Sequence, residues 1–199
     1  MATKRRNVAS RREATDSHKR LKDFLTPDEI DRLLEGAKKG RHGVRDYLLV
    51  LMIYRHGLRV SEAIGLRLEA VNLNRARLWV ERLKGSDSTE QPIAGDELRA
   101  IRRYLKTRKD KLPWLFISER GGPLSRYSVN HIVAEAGKRA KLGHVWPHML
   151  RHSCGYALVD RGTDFRTVQA LSRAPRNPPH GQIHARLGQE VCGSLGLTT

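Results

Sequence analysis

Three short segments carry side chains that could act together on an anion. Gly57-Leu58-Arg59-Val60-Ser61-Glu62 places an arginine at the opening of a predicted helix, and Arg82-Leu83-Lys84-Gly85-Ser86 puts a lysine at the tip of a predicted hairpin. Pro147-His148-Met149-Leu150-Arg151-His152 sets His148 and Arg151 three positions apart, on one face of a helix. Guanidiniums offer planar, bidentate donors to the oxygens of an oxyanion and need no metal to do so, so neither metal nor cofactor is expected. The start of a helix adds backbone N–H groups beside Arg59. A histidine, titrating at about pH 6.5, can assist proton movement. Taken singly, each segment is ordinary. An arginine at a helix start is usually solvated or paired with a carboxylate, a lysine in a turn is common, and His-x-x-Arg is more often a surface pair than a site. Their order, spacing and basic surroundings make the combination specific.

Helices must position most of these residues. Thr26-Pro27-Asp28-Glu29 is a strong helix start, with Thr as cap, Pro at the first position and Glu at the third. Ile30, Leu33, Leu34 and Ala37 then recur at helical spacing until Gly40 and Gly43. A second, very apolar helix through Val44, Tyr47, Leu48, Leu51 and Tyr54 reads as a buried central helix, broken by Gly57. A third runs from about Val60 to Leu66. Leu78, Val80 and Leu83 alternate with polar residues ahead of the turn-forming Gly85-Ser86-Asp87-Ser88, which predicts a small β-hairpin over 76–94. Further helices are predicted at 96–108, 125–140, 148–161 and 163–171, and a short strand at Trp114-Leu115-Phe116. The expected fold is mainly α with one small antiparallel β-sheet.

The charge points to the partner. The chain has 199 residues, with 38 Lys+Arg against 21 Asp+Glu, a formal net charge of +17. Such an excess concentrates and steers polyanions, of which nucleic acid is the commonest. Residues 1–23, including Lys4, Arg5, Arg6, Arg11, Arg12, Lys19, Arg20 and Lys22, carry no apolar stripe. They read either as a flexible arm that lies on phosphates or as a solvated tail. Cys154 and Cys192 have neither metal-ligand spacing nor a disulfide framework, which fits a reducing cytoplasm. No apolar run is long enough for a membrane span, and the first residues lack the apolar core of a signal peptide. The absence of an RNA-module aromatic motif argues against RNA.

The three segments together resemble the tyrosine recombinases, the phage-integrase family, over about residues 24–170, and within it the small fimbrial phase-variation recombinases. Those proteins carry counterparts of Phe24-Leu25-Thr26, of Arg82-Leu83-Lys84 and of Pro147-His148-Met149-Leu150-Arg151-His152-Ser153-Cys154-Gly155, the last being the most specific. The resemblance implies a bacterial, cytoplasmic protein that binds double-stranded DNA and assembles with other recombinase subunits in a synaptic tetramer. It implies that Arg59 and Arg151 clamp the phosphate, that His148 assists proton movement and that Lys84 protonates the leaving 5′-oxygen. It makes Arg59, Lys84 and Arg151 DNA contacts, joined by Lys4, Arg5 and Arg6 of the arm. In this family a tyrosine is the nucleophile and forms a 3′-phosphotyrosyl link.

The resemblance stops at the tail. The positions where the family carries a second histidine (or tryptophan) and the tyrosine fall on Ala174 and Ile183, and no tyrosine, phenylalanine or tryptophan follows Phe165. The tyrosines at 47, 54, 104, 127 and 156 read as core packing residues. Residues 171–199 hold Pro175, Pro178, Pro179, Gly181, Gly188, Gly193 and Gly196 without helical or strand period, and read as an aberrant, irregular tail. A one-base frameshift near residue 170 would account for it. Codons compatible with Leu171–Ala174 and with His180–His184 conceal Tyr-Leu-Gly-His and Thr-Val-Arg-Tyr-Thr in the shifted frame. The expectation is a recombinase-type DNA-binding domain without its nucleophile, monomeric in solution. The alternative is a non-catalytic, regulatory DNA-binding protein acting at recombination sites.

Overall fold

Helix α1 (Pro27–Lys38) begins where the capping sequence predicts. The Thr26 hydroxyl accepts from the Glu29 backbone N–H at 3.4 Å, and the Glu29 carboxylate accepts from the Thr26 N–H at 2.8 Å. The structure is a computed structural model that describes residues 23–82, 88–160 and 162. The hairpin tip with Lys84, the arm with Lys4, Arg5 and Arg6, the helix predicted at 163–171, and the tail with Ala174, Ile183 and Cys192 lie outside the described residues.

Helix α2 (Gly43–Arg55) is the central helix the sequence predicts: every residue from Leu48 to Arg55 is buried. It packs against α1, α4 (Gly95–Thr107) and α6 (Pro147–Asp160), while α1 also packs on α5 (Arg126–Arg139). Leu48, Leu49, Val50, Met52 and Ile53 are fully buried, and each contributes roughly 1.5–3 kcal/mol of transfer free energy. Gly36 lets α1 and α5 close on each other. A Cβ there would lie 2.4 Å from the Ala136 carbonyl oxygen, so any larger residue would force the helices apart.

Between the helices lies a three-stranded antiparallel sheet, β1 (Val71–Asn72), β2 (Arg77–Val80) and β3 (Thr89–Pro92), in that order. Leu78 pairs with Gln91 and Val80 with Thr89. The predicted alternation sends Leu78 and Val80 inward and leaves Trp79 half exposed. The mainly helical fold with one small antiparallel sheet is as the sequence predicts.

Two expectations are corrected. Trp114-Leu115-Phe116 forms no strand. It makes an isolated bridge to Arg67, with the Leu115 N–H on the Leu66 carbonyl at 2.7 Å. The Arg108 guanidinium takes the carbonyls of Leu112, Trp114 and Leu115, which a ladder would otherwise use. The tyrosines also divide. Tyr54 and Tyr104 are buried and Tyr47 packs at the core edge, but Tyr127 and Tyr156 are exposed. Tyr127 stacks on His131 one turn along α5, and Tyr156 meets Phe24 at 4.3 Å between ring centres.

Candidate phosphate-binding site

The turn after α2 is where the separate segments meet. Gly57 has φ +54°, a left-handed conformation that suits glycine and lets the chain leave α2 and enter the short helix α3 (Val60–Gly65). Arg59 caps α3. Glu62, three residues on, accepts the Arg59 backbone N–H at 2.8 Å and its Nη1 at 2.7 Å. Of the backbone N–H groups expected to favour an anion there, that of Arg59 itself is already donated to Glu62. The carboxylate sits one turn in and reaches back to the cap.

Helix α6 brings the second arginine. Pro147 opens it, at a position where the missing N–H costs nothing. Its start is fixed by the residues before α1. The Leu25 N–H donates to Ser153 Oγ at 2.7 Å, Ser153 in turn donates to the Met149 carbonyl at 2.7 Å, and Asp23 lies 3.2 Å from His152 Nδ1. Phe24 packs on Tyr156 from the same side. So anchored, Arg151 donates through Nη1 to the Gly57 carbonyl and lies 4.0 Å from the Glu62 carboxylate. Arg82, two residues past β2, also reaches Glu62, at 2.8 Å, and the carbonyls of Gly57 and His56 at 3.3 and 3.0 Å.

Three guanidiniums thus surround one carboxylate, a local excess of positive charge. Its electrostatics follow. Burial pushes the Glu62 carboxyl up, but the charge of Arg82 and the hydrogen bonds from Arg59 and Arg82 outweigh it and hold Glu62 below its usual range. Burial, then the charges of Arg82 and Arg59, press Arg151 down to about 10. It stays charged at neutral pH, and among the described residues three guanidiniums share the one Glu62 carboxylate. A phosphate would supply further negative charge. Arg59 has the most open side chain of the three, at 22% exposed against 7% for Arg151 and 5% for Arg82. An anion arriving from solvent meets it first.

His148, one turn before His152 and exposed, lies over it with ring centres 4.1 Å apart. Burial of its ring and the positive charges of His152 and Arg151 lower its pKa, partly opposed by Asp23. At neutral pH the ring is uncharged and able to accept a proton. Arg59, Arg151 and His148 therefore share one electrostatic neighbourhood. Among the described residues no group of three or more His, Cys, Asp or Glu is placed to hold a metal ion.

Sequence reasoning missed Glu62 and Arg82. Both stand inside the quoted segments. The Arg59–Glu62 spacing of three is a helix pair readable in sequence. Nothing local marks Arg82, because its partners lie on a different element.

Comparisons with known proteins place the chain in a family and a fold. Residues 23–173 match the Phage integrase family. The type 1 fimbriae regulatory protein FimB of Escherichia coli K12 is 40% identical over 159 residues, covering 77% of this chain and 78% of that protein. Tyrosine recombinase XerA of Pyrococcus horikoshii is 40% identical over 156 residues, 77% of this chain and 53% of its own length. The crystal structure of a XerA recombinase superposes with a TM-score of 0.67 at 26% identity, over 76% of this chain and 56% of that one. The Tn1549 transposon integrase, at 18% identity and a TM-score of 0.68 over 79% of this chain and 60% of that one, shares the fold. The chain belongs to the phage integrase family of tyrosine recombinases.

Proposed function

We propose that this chain binds duplex DNA at recombination sites through a tyrosine-recombinase domain, residues 24–170, whose phosphate clamp is intact and whose nucleophile is absent. The observation that carries this reading is the convergence of Arg59, Arg82 and Arg151 on Glu62 at the turn after α2. Arg59 and Arg151 come from different elements and can hold two non-bridging oxygens of one phosphodiester. There they would stabilise the negative charge that builds as the phosphorus is attacked. His148, uncharged at neutral pH, would accept a proton beside them. Lys84 is assigned to the leaving 5′-oxygen, and Lys4, Arg5 and Arg6 to neighbouring phosphates.

The clamp has nothing to position for attack. Ala174 and Ile183 stand where the family carries a second histidine and the tyrosine, and neither side chain can take a proton or attack phosphorus. The aberrant tail, 171–199, supports a frameshift in the coding sequence, and the coding DNA tests it: an ATT or ATC codon at Ile183 contradicts the hidden tyrosine. Family members in DNA complexes, such as the Tn1549 integrase with transposon right end DNA and XerH with its difH substrate, support DNA as the partner. A cytoplasmic location fits that partner, the similarity to FimB suggests a bacterial one, and no helix among the described residues is long and apolar enough to cross a membrane. Synaptic assembly with other recombinase subunits would be weakened by the altered tail, leaving a monomer in solution. A regulatory role, occupying sites that an intact relative would use, follows from the same missing tyrosine.

The test is duplex binding measured across salt concentration. The logarithm of affinity should fall linearly with the logarithm of salt, with a slope of about −0.9 per phosphate neutralised. R59A and R151A should each weaken binding and flatten the slope. Affinity indifferent to salt, or unchanged in both variants, contradicts the clamp.

A further inference from the structure

Arg82 uses its hydrogen bonds inside the protein. Nη1 donates to Glu62 at 2.8 Å and to the Gly57 carbonyl at 3.3 Å, and Nη2 donates to the His56 carbonyl at 3.0 Å. With a side chain only 5% exposed, it offers little to a phosphate arriving from solvent. Its acceptors are nevertheless shared with the clamp. The Gly57 carbonyl also receives Arg151, and Glu62 also receives Arg59 through backbone N–H and guanidinium. The His56 ring below this turn is tied in as well, to Gln91 on β3 and to Glu97 on α4, each at 2.7 Å. One planar guanidinium therefore connects the sheet to the acceptor of each clamp arginine.

We propose that Arg82 is a positioning residue that fixes the Gly57 carbonyl and the Glu62 carboxylate so that Arg59 and Arg151 face one phosphate. The proposal rests on reading the cluster as a phosphate site. A lysine would keep the charge but not the fork that spans Glu62, Gly57 and His56, so charge alone should not suffice.

The test is a double-mutant cycle on the full chain, with a fluorescein-labelled DNA duplex of mixed sequence as probe and thermal unfolding followed in parallel. R82M should weaken binding about tenfold in the unaltered chain but less than about twofold in the R59A/R151A double variant, because its effect passes through those two arginines. R82K should weaken binding as R82M does and should flatten the salt dependence, although the total charge is kept. Equal losses in the two backgrounds would make Arg82 independent of the two clamp arginines and overturn the assignment. So would wild-type binding by R82K, which would leave charge as the only requirement. Loss of the folded state in both variants would make Arg82 a purely structural residue, which also overturns it. Should the unaltered chain bind without salt dependence, the phosphate reading itself fails, an outcome separate from any behaviour of Arg82.

Discussion

Helix α2 and the turn that follows it both bury side chains and are differently made. From Leu48 to Ile53 every side chain is aliphatic or methionine, and removal from water is their whole contribution. From Arg55 to Glu62 the chain buries Arg55, His56 and Glu62, and Arg82 from just past β2 and Arg151 from α6 close over them. Burying charge is costly unless each group is paired, and even well-paired buried ions are often no more stable than apolar replacements. The first region is therefore built for stability. The second is built to hold cations at fixed positions despite their mutual repulsion, which is what recognition of a phosphate requires.

Substitutions should separate the two regions. L49A removes a fully buried side chain from α2 and should cost about 2–5 kcal/mol in chemical unfolding, with the DNA affinity of the folded protein unchanged. A parallel loss of affinity would couple the regions that this contrast keeps apart. R151A should show the reverse pattern. Duplex affinity should fall by about 1.5–3 kcal/mol, the usual worth of a charged hydrogen bond. Stability should change by less than about 1 kcal/mol, since losing the bond to Gly57 is offset by relief from Arg82 and Arg59. A larger stability loss would place Arg151 with the structural residues. G57A should cost about 1 kcal/mol through its left-handed backbone, read as a lower unfolding midpoint.

The smallest effect concerns pH. Burial, His152 and Arg151 lower the pKa of His148 in the folded chain below its unfolded value of 6.5. The unfolded state therefore binds more protons in that window. The stability due to this group is present above about pH 6.5 and is lost as pH falls through the folded pKa. Bound phosphate offsets the neighbouring cations and raises the His148 pKa, so binding takes up a proton. Affinity should rise as pH falls below about 6.5, by no more than about tenfold per unit, and H148Q should abolish most of that rise. A pH dependence unchanged in H148Q assigns the proton to another group.

The same contrast explains what was legible in the sequence. Apolar periodicity and local capping give α1, α2 and the alternation of Leu78 and Val80, because each is written within a few consecutive residues. Arg59, His148 and Arg151 were legible through their motifs. Arg82 was not, since a buried arginine and a solvated one look alike until the chain folds its partners against it. Nor was the exposure of Tyr127 and Tyr156, whose helices are amphipathic only weakly and do not mark an outer face. The Trp114–Phe116 segment has strand composition, yet the carbonyls a strand would use are taken by Arg108.

The central claim, a phosphate clamp without a nucleophile, is tested most directly with a nicked suicide duplex and denaturing detection of covalent protein–DNA adducts. The account predicts salt-sensitive binding with no adduct. An adduct mapped to any of the tyrosines at 47, 54, 104, 127 or 156 would contradict it.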